Sequence, residues 1–185
     1  LTGAGFLLIV KGDGNEVDMG TVIVRCSSIL GMTGLKLIIG QLPGLGAGVS
    51  RTANGCSVTI GDRVVINGVT LYLQEDHSRV SIGDDSQLSW GVDVWCTDAH
   101  TITDLEGNPV NYAESIEIGR HVWVGKDVKI GKNVRIADNS IVGWGSIVTK
   151  RFDEPNVILA GTPAKIVKRG INWDRKCINK YAKGL

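Results

Sequence analysis

The stretch IGRHVWVGKDVKIGKNVRIADNSIVGWGSIVTK, residues 118–150, returns to a branched aliphatic at every sixth position: Ile118, Val124, Ile130, Ile136, Val142 and Val148. A small residue follows each of them, at Gly119, Gly125, Gly131, Ala137, Gly143 and Thr149. Four positions after the aliphatic come Val122, Val128, Val134, Ser140 and Ser146. A helix would place apolar residues three and four apart, and a flat amphipathic strand would alternate every two. A strict period of six fits neither and marks a repeat architecture. Short strands that turn a corner once per unit, aliphatics inward, would stack coil on coil around one apolar column. The glycine behind each aliphatic suits a corner at which a residue without Cβ turns freely.

The phase extends backwards through Ile60, Ile66, Ile82, Leu88 and Val94, with Gly61 and Gly83 in the small position. The stretch CTDAHTITDLEGNPVNYAESIE, residues 96–117, lacks the pattern, and its Gly107, Asn108 and Pro109 are turn signals, so a loop projecting from the coil is expected over about 97–115. Earlier, Val17, Ile23, Ile29 and Leu35 keep the step of six without the small residue, and residues 40–55 read as loop. The expected organisation is therefore an irregular N-terminal cap over 1–58, a β-helix over 59–152 and a basic tail over 153–185. Within that tail, 164–182 suggests a strand and then a helical turn.

At 185 residues, with 43% hydrophobic and only 5% aromatic residues, the chain suits one domain built on stacked aliphatics. A formal charge of +1 argues against nucleic-acid coating as a main role. From Lys150 onward, however, nine basic residues face three acidic ones, which leaves about −5 for the rest. Such a segment suits a solvated face, a membrane surface or a phosphate site. Cys26, Cys56, Cys96 and Cys177 show no metal spacing and read as reduced, buried thiols. The opening residues carry neither a leader pattern nor a membrane span, which makes the cytoplasm the expected compartment.

Over about residues 58–169 the chain resembles the hexapeptide-repeat acyltransferases, above all the sugar O-acetyltransferases of the maltose, galactoside and capsule or O-antigen type. HVWVGKDV, GWGSIVTK and AGTPAKIVKR, beginning at residues 121, 143 and 160, are similar to successive signatures of that group. The resemblance implies an all-β fold, a left-handed parallel β-helix with a projecting loop, assembled as a homotrimer. It also implies acetyl-coenzyme A as donor and no metal.

Acyl transfer to a hydroxyl needs a base, and imidazole suits neutral pH. Of His77, His100 and His121, only His100 stands at the root of the projecting loop, where the family has its general base. Asp98 shares a strand face with it and is a candidate to orient the ring, the alternative being a loop-stabilising bond. By resemblance, donor contacts fall to Lys126, Gly143, Trp144, Thr149, Lys150, Lys165, Lys168 and Arg169, the cations meeting the phosphates. Trp144 departs from the Ala more common in the family, so its indole would either stack on the cofactor or close part of the groove. Acceptor contacts fall to Asn67, Asp76 and Trp95, with burial at a subunit interface the alternative for Trp95.

The resemblance and these residues imply O-acetylation of a sugar hydroxyl, with a surface-polysaccharide precursor as the expected acceptor. N-acetylation of an amino sugar or small-molecule acceptor is the near alternative. A γ-class carbonic anhydrase would need three converging imidazoles, and here the histidines lie 23 and 21 residues apart. A silent trimeric scaffold is the remaining alternative.

Overall fold

The computed structural model describes residues 6–10, 12–24, 26–27, 32–40 and 52–180. Most of the loop expected over 40–55 lies outside these residues, as do position 29 and the side chain of Cys26.

The strands follow in chain order. They are β1 (Phe6–Val10), β2 (Glu16–Met19), β3 (Val22–Val24), β4 (Cys26–Ser27), β5 (Met32–Ile39), β6 (Ser57–Ile60), β7 (Val64–Leu73), β8 (Arg79–Ile82) and β9 (Gln87–Cys96). After the projecting loop come β10 (Ser115–Ile118), β11 (Trp123–Val124), β12 (Lys129–Ile130), β13 (Arg135–Ile136), β14 (Ile141–Val142), β15 (Ile147–Val148), β16 (Val157–Gly161) and β17 (Ala164–Arg169). A 3-10 turn, Ile178–Lys180, follows. Among the described residues no helix is long and apolar enough to cross a membrane.

Nearly all pairings are parallel, and they sort into three faces of a coil. Face A is β2-β6-β8-β10-β13. Face B takes β3, the first half of β7 and of β9, then β11, β14 and β16. Face C takes β1, β5, the second halves of β7 and β9, then β12 and β15. The chain runs from A to B to C, turns and repeats, so β7 and β9 each bend across one corner. At the top, β17 returns antiparallel along β16.

Ile118 and Ile136 are register partners 18 residues apart, which makes one coil three hexapeptides. Ile82 and Ile118 are also partners, yet 36 apart: the insertion between them has the length of one whole coil and so preserves the phase. The repeat aliphatics point inward as expected, with Ile60, Ile66, Ile82, Leu88, Val94, Ile118, Val124, Ile130, Ile136, Val142 and Val148 all at most 2% exposed. Each such burial contributes roughly 1.5–3 kcal/mol. Phe152, bridged to Ile136, closes the column together with Leu159 and Ala164.

The reason for the glycines differs from the sequence expectation. The left-handed backbone sits two residues later, at Arg63, Asp85, His121, Asn139 and, on the next corner, Asp127, with φ of 53–63°. What excludes a side chain at Gly61 is the coil above, since a Cβ there would lie 2.2 Å from Asp84 Oδ1 and 2.8 Å from its amide nitrogen. Gly119 meets Asp138 in the same way, at 2.4 and 2.8 Å. These aspartates accept from the backbone of the coil before them, Asp62 N–H donating to Asp84 Oδ1 at 2.8 Å and Arg120 N–H to Asp138 Oδ1 at 2.9 Å.

Beyond β17 the tail runs down the corner between faces A and B. Asn156 exchanges bonds with Ile171, Trp173 stacks on His121 at 4.5 Å, and Arg175 donates to the carbonyls of Arg63 and Asp85 at 3.0 and 2.7 Å. Cys56 and Cys96 are buried, and burial pushes the Cys96 thiol up to about 12. The expectation of burial fails at Cys177, which lies exposed on this tail.

Candidate active site

His100 leaves β9 at the corner between faces C and A, where the inserted arm begins. It lies exposed in a cleft of about 660 Å³ whose lining includes Gln74, Glu75, Asp76, Thr97, Asn111 and Tyr112. Its ring forms no hydrogen bond with another described residue, which leaves both nitrogens open to ligands.

What holds His100 in place is the two roots of the arm, tied together by a residue that the sequence reading passed over. The half-buried Glu75 carboxylate accepts from Thr97 Oγ1 at 3.2 Å through one oxygen and from Ala113 N–H at 2.7 Å through the other. Thr97 Oγ1 in turn accepts from Ala99 N–H at 2.8 Å. That bond fixes a left-handed turn (φ 61°) in a residue with a Cβ, immediately before His100. Only the position of Glu75, directly after the strand beneath, hints at this role in the sequence.

Asp98 does not reach the His100 ring. Its carboxylate pairs with Lys132 and accepts from Asn111 Nδ2 at 2.8 Å, and the same amide donates to the His100 carbonyl at 2.9 Å. The alternative of a loop-stabilising bond describes this geometry. The Lys132 and Asn111 donors hold the Asp98 carboxyl below its ordinary range. At the arm's tip Asp104 accepts from the amides of Glu106 and Asn108 and from Asn108 Nδ2, and the Asn108 contacts hold its carboxyl low too.

Of the acceptor candidates, Asp76 lines the His100 cleft, but its Oδ1 is engaged by Asn54 N–H at 2.8 Å. Asn67 is 6% exposed in β7, at the far corner between faces B and C, with no hydrogen-bond partner for its Oδ1 among the described residues. Trp95 is half-exposed on face C, edge-on to Tyr72 at 5.0 Å, in a notch of about 240 Å³ that it shares with Lys129 and Thr149. One chain therefore brings only Asp76 to His100.

The donor candidates divide in the same way. Lys126, Gly143 and Trp144 occupy successive coils at the corner between B and C, with Gly145 N–H donating to the Lys126 carbonyl at 2.9 Å. Trp144 is 73% exposed, and its Cδ1 lies 2.6 Å from where a Cβ on Gly125 would stand. The indole thus covers the turn below it. β17 carries Lys165 beside this corner and Lys168 and Arg169 away from it. Thr149 and Lys150 sit across face C on the His100 side, Lys150 over the Phe152 ring at 5.3 Å. Lys126 pairs with Asp127 at 3.3 Å and Arg169 with Glu154 at 3.0 Å, while Lys165 and Lys168 are exposed.

The three histidines do not converge. His121 is on the corner between A and B, pinned by Trp173, whose indole N–H donates to its carbonyl at 2.7 Å and whose own carbonyl lies 3.1 Å from His121 Nε2.

No protein-family model matches the sequence. A polysialic acid O-acetyltransferase of Neisseria meningitidis is 35% identical over 173 residues, which cover 91% of this chain and 80% of that protein. Its counterpart in Escherichia coli O1:K1 is 34% identical over 142 residues, 70% of this chain. The match covers 45% of the Escherichia coli protein, about half its length. Among solved structures, the polysialic-acid-specific acetyltransferase NeuO superposes with a TM-score of 0.63 at 27% identity, over 93% of this chain and 90% of its own. A galactoside acetyltransferase in complex with coenzyme A does so with a TM-score of 0.53 at 24% identity, over 84% and 65%. With the parallel register above, these structures fix the coil as the left-handed β-helix.

Proposed function

The chain belongs to the hexapeptide-repeat O-acetyltransferases, and on that footing we propose that it moves an acetyl group from acetyl-coenzyme A to a hydroxyl of a sugar in an acidic surface polysaccharide. The observation that carries this reading is His100, exposed with a free ring in a cleft wide enough for a sugar and anchored by Glu75 from both roots of the arm. The relatives named for polysialic acid supply the acceptor class.

Bound in the groove, acetyl-coenzyme A would supply the acetyl group already activated as a thioester. The His100 imidazole accepts the proton of the sugar hydroxyl as that oxygen forms its bond to the acetyl carbon. It then returns the proton to the departing sulfur, so the side chain ends each cycle as it began. Asp98 stabilises the arm and leaves the ring to the acceptor. The exposed Lys165 and Lys168 fit a phosphorylated donor, since neither forms an ion pair with another described residue. Lys126, Gly143 and Trp144 line the corner beside Lys165, with Lys168 farther along β17.

These groups stand one face away from His100 within a chain. Assembly as a homotrimer, one subunit's B–C corner against the next subunit's arm, would bring them, with Asn67 at the same corner and Trp95 on face C, to His100 of a neighbouring copy. Acetyl-coenzyme A as donor makes the cytoplasm the working compartment. The test is release of free thiol from acetyl-coenzyme A on addition of polysialic acid, with mass spectrometry of the product. Thiol release with one acetyl gained per modified unit supports the reading, and no transfer to any sialic acid or galactoside acceptor refutes it.

A further inference from the structure

Face A carries a polar trough that the transfer chemistry leaves unused. Outward residues of neighbouring coils stand in register as Glu16, Ser57, Arg79 and Ser115 in one row and Thr59, Ser81 and Glu117 in the next. Four of them are small hydroxyls, so the middle of the face is concave. Two hollows, of about 360 and 490 Å³, share Ser57 and Arg79 and make the concavity continuous.

Among the described cations of this face Arg79 is the one without a carboxylate partner, and on the lowest strand Glu16 and Asp18 form no ion pair with another described residue either. Arg135 and Arg151 share Glu117 and Asp153 at 3.3–3.9 Å, two cations to two carboxylates. The exposed Arg79 guanidinium forms no ion pair or hydrogen bond with another described residue. Serines flank it above and below, and hydroxyls offer donors to whatever anion the guanidinium binds.

The trough opens beside the His100 cleft. Asp76 lines the cleft and Arg79 lies three residues on, around the C–A corner; Ala113 lines the cleft and Ser115 lies two residues on. Resting on the proposed transfer to an acidic polysaccharide, we infer that face A is a second acceptor subsite, in which Arg79 binds the carboxylate of an acidic sugar unit while another unit of the same strand occupies the His100 cleft. The Ser57 and Ser81 hydroxyls complete it with hydrogen bonds, while the Ser115 hydroxyl donates to Glu117 at 3.4 Å. Glu16, lining the lower hollow, limits the track on that side by repelling further carboxylates.

The subsite predicts a dependence on acceptor length. Arg79→Ala, Arg79→Lys and wild type would be compared on polysialic acid of about twenty units and on monomeric and dimeric sialic acid, with binding of the long polymer measured separately by affinity electrophoresis. Loss of one charge-assisted contact raises KM for the long polymer about tenfold in Arg79→Ala. That loss shrinks at high salt. Arg79→Lys recovers part of it, and kcat, KM for acetyl-coenzyme A and activity on short acceptors stay within twofold. Unchanged KM for the polymer, or an equal loss on short acceptors, overturns the subsite. If wild type acetylates a neutral galactoside but neither binds nor acetylates polysialic acid, the subsite is overturned and the transferase stands. If wild type transfers to nothing, the transferase reading fails and polymer binding alone judges the subsite, which falls if Arg79→Ala binds like wild type.

Discussion

Replacing Glu75 by alanine removes both bonds that tie the roots of the arm, the one from Thr97 Oγ1 at 3.2 Å and the one from Ala113 N–H at 2.7 Å. Hydrogen bonds to a charged group contribute about 1.5–3 kcal/mol each, and a donor left unpaired away from water carries a penalty of about 1–3 kcal/mol. Because Glu75 is half-buried, the low end applies, and about 3 kcal/mol is lost in all. The β-helix does not depend on the arm, whose insertion leaves the register of Ile82 with Ile118 intact. The loss therefore falls on the arm and on the left-handed Ala99 that aims His100. Three kcal/mol corresponds to a shift of about a hundredfold in the anchored population. Glu75→Ala should accordingly lower kcat by about ten- to a hundredfold, speed amide exchange at 97–113, and leave the binding of coenzyme A unchanged. Glu75→Gln keeps one acceptor and one donor and should fall between. A Glu75→Ala variant with kcat within twofold of wild type and unchanged exchange in the arm would refute the reasoning.

Gly61→Ala drives a Cβ into the Asp84 carboxylate and backbone, so about 1–3 kcal/mol of stability should vanish, read by denaturant unfolding, while Gly131→Ala, whose Cβ would meet only the Val148 carbonyl at 3.6 Å, costs less. Asp98 titrates below its unfolded value of 3.8, so its ion pair with Lys132 stabilises the fold above about pH 4 and is lost as pH falls through the lower folded value. Lys132→Met also loses the Lys132 bond to the Asn111 carbonyl and should unfold below wild type at pH 7 in thermal melts; the ion-pair part of that gap, under about 1 kcal/mol because the Asp98 carboxylate is 39% exposed, should fade as pH falls below about 4. Trp173→Ala removes a ring stack and a 2.7 Å hydrogen bond from the tail, about 2 kcal/mol together, and should lower Tm by about 4–8 °C without affecting kcat.

The coil was legible because its constraint is one-dimensional. A branched aliphatic every six residues, inward at every turn, leaves a trace in the sequence wherever the core is continuous, and it did so from Ile60 to Val148. Even the inserted arm announced itself, since a full coil's worth of residues without the pattern kept the phase on both sides. The corner chemistry was not legible, because Gly61 is dictated by Asp84, 23 residues away in the next coil, and the left-handed turn falls at Arg63, where no glycine marks it. At the site, His100 was findable as the one imidazole at the arm's root. Glu75 was not, since its partners Thr97 and Ala113 lie 22 and 38 residues off and meet only when the coils stack. The tail's composition did not tell its cations apart: Lys165 and Lys168 are exposed, whereas Arg169 pairs with Glu154 and Arg175 donates to the carbonyls of corner A–B.

The most direct test of the account is turnover of His100→Ala with acetyl-coenzyme A and polysialic acid, run beside calorimetric titration of the same variant with coenzyme A. A fall in kcat of at least about a hundredfold, with donor affinity within twofold of wild type, is the predicted result. Undiminished turnover would contradict the central claim, because the proton of the acceptor hydroxyl would then be leaving by another route.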